Sequence, residues 1–207
     1  MMKTIIFATT NAGKVREVNA IMQESGFQVI SLKDAGLVVD VDENGTSFEE
    51  NAQIKAKAIW EVTVKKDEYK DAIVLADDSG LEIDYLGGEP GIYSARYLGE
   101  DTSYEYKNGV ILERLANAPD DERGARFVCA MAAVLSDGTV LCEKGVMEGK
   151  IAYSIEGTNG FGYDPIFYLP QYGMTSASIS PEQKNEISHR GKALRLIKDR
   201  INESINC

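Results

Sequence analysis

Lys3-Thr4-Ile5-Ile6-Phe7-Ala8-Thr9-Thr10-Asn11-Ala12-Gly13-Lys14 is a β-rich run that turns polar and then leads into Val15, Val18, Ile21 and Met22, apolar positions at helical spacing, up to Gly26. Phe27 to Leu32 is strand-like again. Strand, loop, helix and second strand predict a parallel opening βαβ unit, since parallel strands need a crossover long enough to hold a helix.

Downstream, an acidic loop over 33–45 ends in Asn44-Gly45, and Ser47 with Glu50 three residues later predicts a capping box opening a helix through Val62. Ala72 to Ala76 has the composition of a buried strand and ends in Asp77-Asp78-Ser79-Gly80; Leu81, Ile83 and Tyr85 then alternate with polar residues before the turn Gly87-Gly88-Glu89-Pro90-Gly91. Tyr104 to Ala116 predicts a helix. Ala125–Leu135 and Val140–Val146 predict a hairpin across Ser136-Asp137-Gly138-Thr139, and a charged helix runs from about Pro181 through Ile201. No internal repeat, linker or low-complexity tract divides the chain, which predicts one α/β domain over 1–207.

The 207 residues carry 22 Lys and Arg against 33 Asp and Glu, a net charge of -11. That field repels DNA and anionic membranes, while a small polyanion stays admissible where a local cationic pocket and a divalent ion reverse the potential. Cys129, Cys142 and Cys207 are odd in number and lack CxxC spacing, as expected of reduced thiols in an intracellular protein. The apolar run at the start is too short for a signal peptide or a membrane span, so the expected location is cytoplasmic.

Four segments could carry chemistry. Thr9-Thr10-Asn11-Ala12-Gly13-Lys14 places free N–H groups and a lysine at a helix start, a natural phosphate site, although a polar capped turn explains the same residues and the Walker A pattern is absent. Asp77 and Asp78, with Asp40, Asp42 and Glu43 upstream, offer the hard oxygen ligands that Mg²⁺ prefers. Strand alternation sends Asp77 and Asp78 to opposite faces, so one of them is expected in the site; an acidic turn is the plain alternative. Lys184, Ser188, His189 and Arg190 sit in the charged C-terminal stretch, where Lys184 and Ser188 could share a helix face, as could His189 with Asn185 or Glu186. No second His or paired Cys supports zinc, and no Ser or Cys is matched with a His for nucleophilic catalysis. In Phe161-Gly162-Tyr163-Asp164-Pro165, a base could stack on Phe161 while Gly162 admits close backbone approach; a tight turn burying an aromatic fits equally.

In this order, Ala8–Lys14, Asn44–Ala52, Ala76–Leu81, Pro90–Tyr97, Phe161–Phe167 and Ile187–Gly191 resemble the Ham1 family of inosine triphosphate pyrophosphatases. The resemblance implies a long twisted mixed sheet flanked by helices, with two lobes around a central cleft. It also implies a Mg²⁺-dependent homodimer that splits altered-base purine triphosphates such as ITP, dITP and XTP into monophosphate and pyrophosphate. It assigns Thr9 to Lys14 to the triphosphate, Asp78 to catalysis and metal binding, and Ser79, Phe161, Gly162, Tyr163, Asp164, Lys184, His189 and Arg190 to the nucleotide. The family's upstream metal carboxylate, commonly Glu, falls at Asp42, with Glu43 as a possible substitute. A pyrophosphatase for other modified nucleotides and a non-catalytic nucleotide-binding regulator are the competing readings.

Overall fold

The computed structural model describes residues 3–9, 11–22 and 26–206; Thr10 lies outside them. Seven strands form one mixed sheet in the order β2-β1-β3-β4-β5-β6-β7. These are β1 (Lys3–Phe7), β2 (Phe27–Ser31), β3 (Ile73–Ile83), β4 (Gly124–Val134), β5 (Val140–Ile151), β6 (Phe167–Leu169) and β7 (Met174–Thr175). The α-helices among the described residues are α1 (Ala12–Met22), α2 (Phe48–Thr63), α3 (Tyr104–Arg114), α4 (Pro181–Ile187) and α5 (His189–Asn206).

The opening βαβ unit forms as its residues predict. Ile5 of β1 pairs in parallel with Val29 of β2 on one side and Ile73 of β3 on the other. A parallel strand inside a sheet is covered on both faces, which is why Ile5, Ile6 and Phe7 form an unbroken apolar run and all three are fully buried. At the other end β5, β6 and β7 pair antiparallel, which makes the sheet mixed.

The chain divides into two compact units: Met1–Asp78 with Cys129–Gly145 and His189–Cys207, and Ser79–Val128 with Val146–Ser188. In the first, Val18 and Met22 of α1 and Ala193, Leu194, Ile197 and Ile201 of α5 join Ile5, Phe7, Leu75 and Met131 in one core. The α5 positions recur at spacings of one, three and four residues, a single helical stripe. In the second, Leu81, Ile83, Ile111, Phe127, Tyr163, Ile166 and Phe167 form a core of their own.

Two expectations need correction. The strand after Ala72 does not stop at the Asp-Asp pair: β3 continues through Asp77-Asp78-Ser79-Gly80 to Ile83. A carboxylate in a buried strand is costly only while uncompensated, and both of these find partners, described below. The C-terminal stretch is also not one helix. Ser180 opens α4 with a capping box to Gln183, Ser188 is extended (φ -64°, ψ 152°), and α5 restarts at His189. Lys184 and His189 therefore belong to different helices. The start of α5 requires Gly145 in β5, since a Cβ there would lie 2.2 Å from the His189 carbonyl oxygen and 2.6 Å from the Ala193 nitrogen.

Candidate active site

In the first unit, the turn from β1 into α1 folds around Asn11. Its side-chain oxygen accepts from the backbone N–H of Gly13 (2.9 Å) and Lys14 (3.3 Å), and its own N–H donates to the Thr9 hydroxyl (3.2 Å). This is an N-cap, with Lys14 in the first turn of α1 at the positive end of the helix. Lys14 Nζ is ion-paired to Asp77 at 2.9 Å.

The two adjacent aspartates have opposite environments. Asp77 is 1% exposed and accepts from Lys14 and from Arg190 Nε and Nη2, each of the latter at 3.3 Å. Arg190 also pairs with Glu17, which lies three residues after Lys14 on α1. Burial by itself would raise the Asp77 carboxyl; the charges of Lys14, Arg190 and Lys55 overcome this and hold it well below the usual carboxylate range. Arg190 is thus part of a buried charge network with Asp77 and Glu17.

Asp78 is also buried, and it accepts a hydrogen bond from a neutral group, Asn51 Nδ2 at 3.1 Å. Asn51 in turn accepts from the Gly45 N–H at 2.8 Å, which ties the acidic loop to α2 and α2 to β3. Burial pushes the Asp78 carboxyl up to about 6; the Asn51 hydrogen bond and the Lys55 charge act against the rise, and the Glu43 carboxylate adds to it. One turn beyond Asn51, Lys55 bonds the Asp77 carbonyl oxygen (3.1 Å) and the Glu43 carboxylate (2.8 Å). Of the two upstream acids, Glu43 is half-buried and coupled to Asp78, whereas Asp42 is exposed. Asn51 lies in the Asn44–Ala52 motif without an assigned role there, and Lys55 and Glu17 fall outside every motif. The available signal was helical spacing, four residues between Asn51 and Lys55 and three between Lys14 and Glu17.

His189 opens α5 and is 5% exposed. The helix N-cap expected at Ser47 is present, accepting from the Glu50 N–H at 3.1 Å. Its reciprocal half lands one residue upstream, where Glu50 accepts from the Thr46 N–H (2.7 Å) and hydroxyl (2.9 Å).

In the second unit, Asp164 is the centre of a saturated network. It accepts from the Phe161 N–H (2.8 Å), the Ser176 hydroxyl (2.9 Å) and Lys184 Nζ (2.6 Å). The Lys184 ammonium lies 5.0 Å from the centre of the Phe161 ring, a cation–π distance. Gly160 is required here, for a Cβ would sit 2.2 Å from an Asp164 carboxylate oxygen. Phe161 and Gly162 are half-buried, whereas Tyr163 is buried and donates its hydroxyl to the Ser94 carbonyl at 2.7 Å. Ser79 is half-buried in β3. The sequence residues thus gather into Lys14, Asp77, Asp78 and Arg190 in one unit and Phe161 to Asp164 with Lys184 in the other.

No group of three or more His, Cys, Asp and Glu side chains suited to a metal occurs among the described residues. The pair Asp78 and Glu43 nevertheless fits Mg²⁺, which is usually bound through one or two carboxylates, with waters and substrate phosphates completing its shell. A divalent cation would offset the repulsion that the Glu43 carboxylate exerts on Asp78.

A Ham1 family profile matches residues 5–200. The chain belongs to the Ham1 family. It is 46% identical to the dITP/XTP pyrophosphatase of Clostridium perfringens, over 97% of this chain and 98% of that one. Among solved structures it is similar to the Ham1 protein of Staphylococcus aureus, at 40% identity and a TM-score of 0.83, over 98% of this chain and all of that one. The HAM1 protein of Coxiella burnetii gives 37% identity and a TM-score of 0.84, with the same shares covered. At these identities and TM-scores the chain, with its mixed seven-stranded sheet, shares the Ham1 fold.

Proposed function

We propose that this chain hydrolyses altered-base purine nucleoside triphosphates, such as dITP, ITP and XTP, to the monophosphate and pyrophosphate. The observation that carries the mechanism is the contrast between the aspartates. Asp77 is compensated by Lys14 and Arg190, while Asp78, with Asn51 as its hydrogen-bond donor, keeps a carboxyl poised near 6. A group titrating just below neutral pH is suited to general-base work.

In this reading Asp78 takes a proton from a water whose oxygen attacks the α-phosphorus. The bond to the bridging oxygen breaks, and pyrophosphate leaves. Asn51 orients the carboxylate. Thr9, Thr10, Asn11, Ala12, Gly13 and Lys14 bind the polyphosphate, with the α1 N-terminus and the Lys14 charge favouring anions. Asp78 and an upstream carboxylate, Glu43 in preference to the exposed Asp42, would hold Mg²⁺, which when bound supplies charge neutralisation of the phosphate oxygens. Ser79, Phe161, Gly162, Tyr163, Asp164, Lys184, His189 and Arg190 serve nucleoside recognition. Asp164 and Arg190 do so through the groups they hold, Phe161, Ser176 and Lys184 for the first and Asp77 and Glu17 for the second.

A cytoplasmic location, in keeping with an odd number of cysteines without CxxC spacing, and a homodimer complete the proposal. No helix among the described residues is long and apolar enough to cross a membrane. Purified protein incubated with dITP, XTP, ITP, ATP and GTP in Mg²⁺, with phosphate and pyrophosphate measured separately, tests the reading. Pyrophosphate from the first three is expected. Binding without turnover would favour a nucleotide-binding regulator, and stepwise phosphate release would refute cleavage at the α-phosphorus.

A further inference from the structure

Two consecutive residues of α3, both buried, reach out to the backbone of two separate loops. Lys107 Nζ donates to the Ala95 carbonyl at 2.8 Å, and Asn108 Nδ2 donates to the Gly162 carbonyl at 3.2 Å. One turn earlier, the Tyr104 ring meets Tyr163 edge-on at 5.2 Å between centroids. The loops are also joined directly, since the Tyr163 hydroxyl donates to the Ser94 carbonyl and the Ser94 hydroxyl accepts from the Leu81 N–H at 2.9 Å. Positions 104, 107 and 108 lie on one helical face, so α3 presents a single clasp.

Gly162 has φ +70°, in the left-handed region, and its peptide is what Asn108 grips. Asn108 is 2% exposed, and its side-chain oxygen has no hydrogen-bond partner. Burying an amide with half its capacity unmet is costly, and hydrophobic packing would favour an apolar residue there. The amide donor to Gly162 is therefore the part of Asn108 that the fold uses.

We propose that Asn108 is a positioning residue for nucleoside recognition. By fixing the Gly162 carbonyl it sets the orientation of the Phe161 ring and of the N–H groups of the 161–164 turn, whose far side is fixed by Asp164, Ser176 and Lys184. The inference rests on the reading that this turn binds the nucleoside.

The test compares Asn108→Leu, Asn108→Gln and Phe161→Ala with wild type, reading KM, kcat, the kcat/KM ratio of dITP to dATP, and Tm. Asn108→Leu keeps the volume and removes the donor; Asn108→Ser serves if that variant does not fold. Loss of one positioning hydrogen bond should raise KM for dITP about tenfold with kcat changed far less, lower the selectivity ratio, and be partly restored by Asn108→Gln, which keeps the amide. Combined with Phe161→Ala, the Asn108→Leu effect on KM should largely vanish, because both act on one turn. If Phe161→Ala raises KM while the Asn108 variants change only Tm, the positioning role is overturned and the nucleoside turn stands. If Phe161→Ala itself leaves KM and selectivity unchanged, the reading of the turn fails, and the inference with it.

Discussion

Lys14 and Asp77 form a 2.9 Å ion pair in which the carboxylate is 1% exposed and the lysine side chain 18% exposed. The buried partner fixes the cation, and the cation stays within reach of solvent and of an incoming anion. In the proposed function Asp77 thereby supports the turn of residues 9–14 and is not a second reacting carboxylate.

Asp77→Asn should accordingly be a stability lesion. It strips the counter-charge from Lys14 and from the buried Arg190, and removing one partner of a buried ion pair typically costs about 3–5 kcal/mol. Denaturant unfolding should show a loss of that order together with a raised KM. Unchanged unfolding would mean that the Lys14 and Arg190 contacts contribute nothing.

Asp78→Asn should act the other way. The amide cannot serve as a base, so kcat should fall by at least ~100-fold. In chelator the variant should be more stable than wild type above pH 6. The folded carboxyl binds its proton up to about 6 and the unfolded one only up to its ordinary value of 3.8, so wild-type stability declines as pH rises through that window. The asparagine lacks this decline. Turnover within a few-fold of wild type would remove Asp78 from the chemistry.

Lys14→Ala should raise KM for dITP, and added salt should raise the wild-type KM in the same direction, because a partly exposed cation acts on phosphate through screened attraction. A variant with unaltered KM would exclude residues 9–14 from phosphate binding.

Chelation should abolish turnover, and Mg²⁺ should restore it. If Glu43 is the upstream ligand, Glu43→Gln should raise the Mg²⁺ concentration needed for half-maximal rate by at least about 10-fold, as loss of a carboxylate ligand implies, while Asp42→Asn should barely move it. The reverse order would transfer the role to Asp42.

Base selection should favour dITP and XTP over ATP, and also over GTP, whose C6 carbonyl is shared and whose rejection requires a wall that excludes its 2-amino group. Hypoxanthine and xanthine present a C6 carbonyl to donors, whereas adenine sets an amino group against them, a mismatch costing ~1–3 kcal/mol. His189→Ala should reduce the kcat/KM ratio as well as the rate. Arg190→Ala should do so with a clear loss of stability, because it takes one buried charge partner from each of Asp77 and Glu17. A wild-type ratio near one would end the altered-base reading.

Local covalent geometry made much of this protein legible in the sequence. Strand and helix periodicity predict the β1–α1–β2 crossover, the Ser47–Glu50 spacing predicts the helix cap, and the ordered motifs point to the Ham1 family. Periodicity says which way a side chain points, not what it meets. Only the tertiary structure showed that Asp77 is compensated by Arg190, 113 residues away, while Asp78 meets Asn51. It also continued β3 through the acidic pair and broke the last helix at Ser188. Those outcomes depend on burial and on charges brought together across the chain. The protonation of a carboxylate, and the tolerance of a strand for it, follow from that environment rather than from the neighbouring residues in sequence.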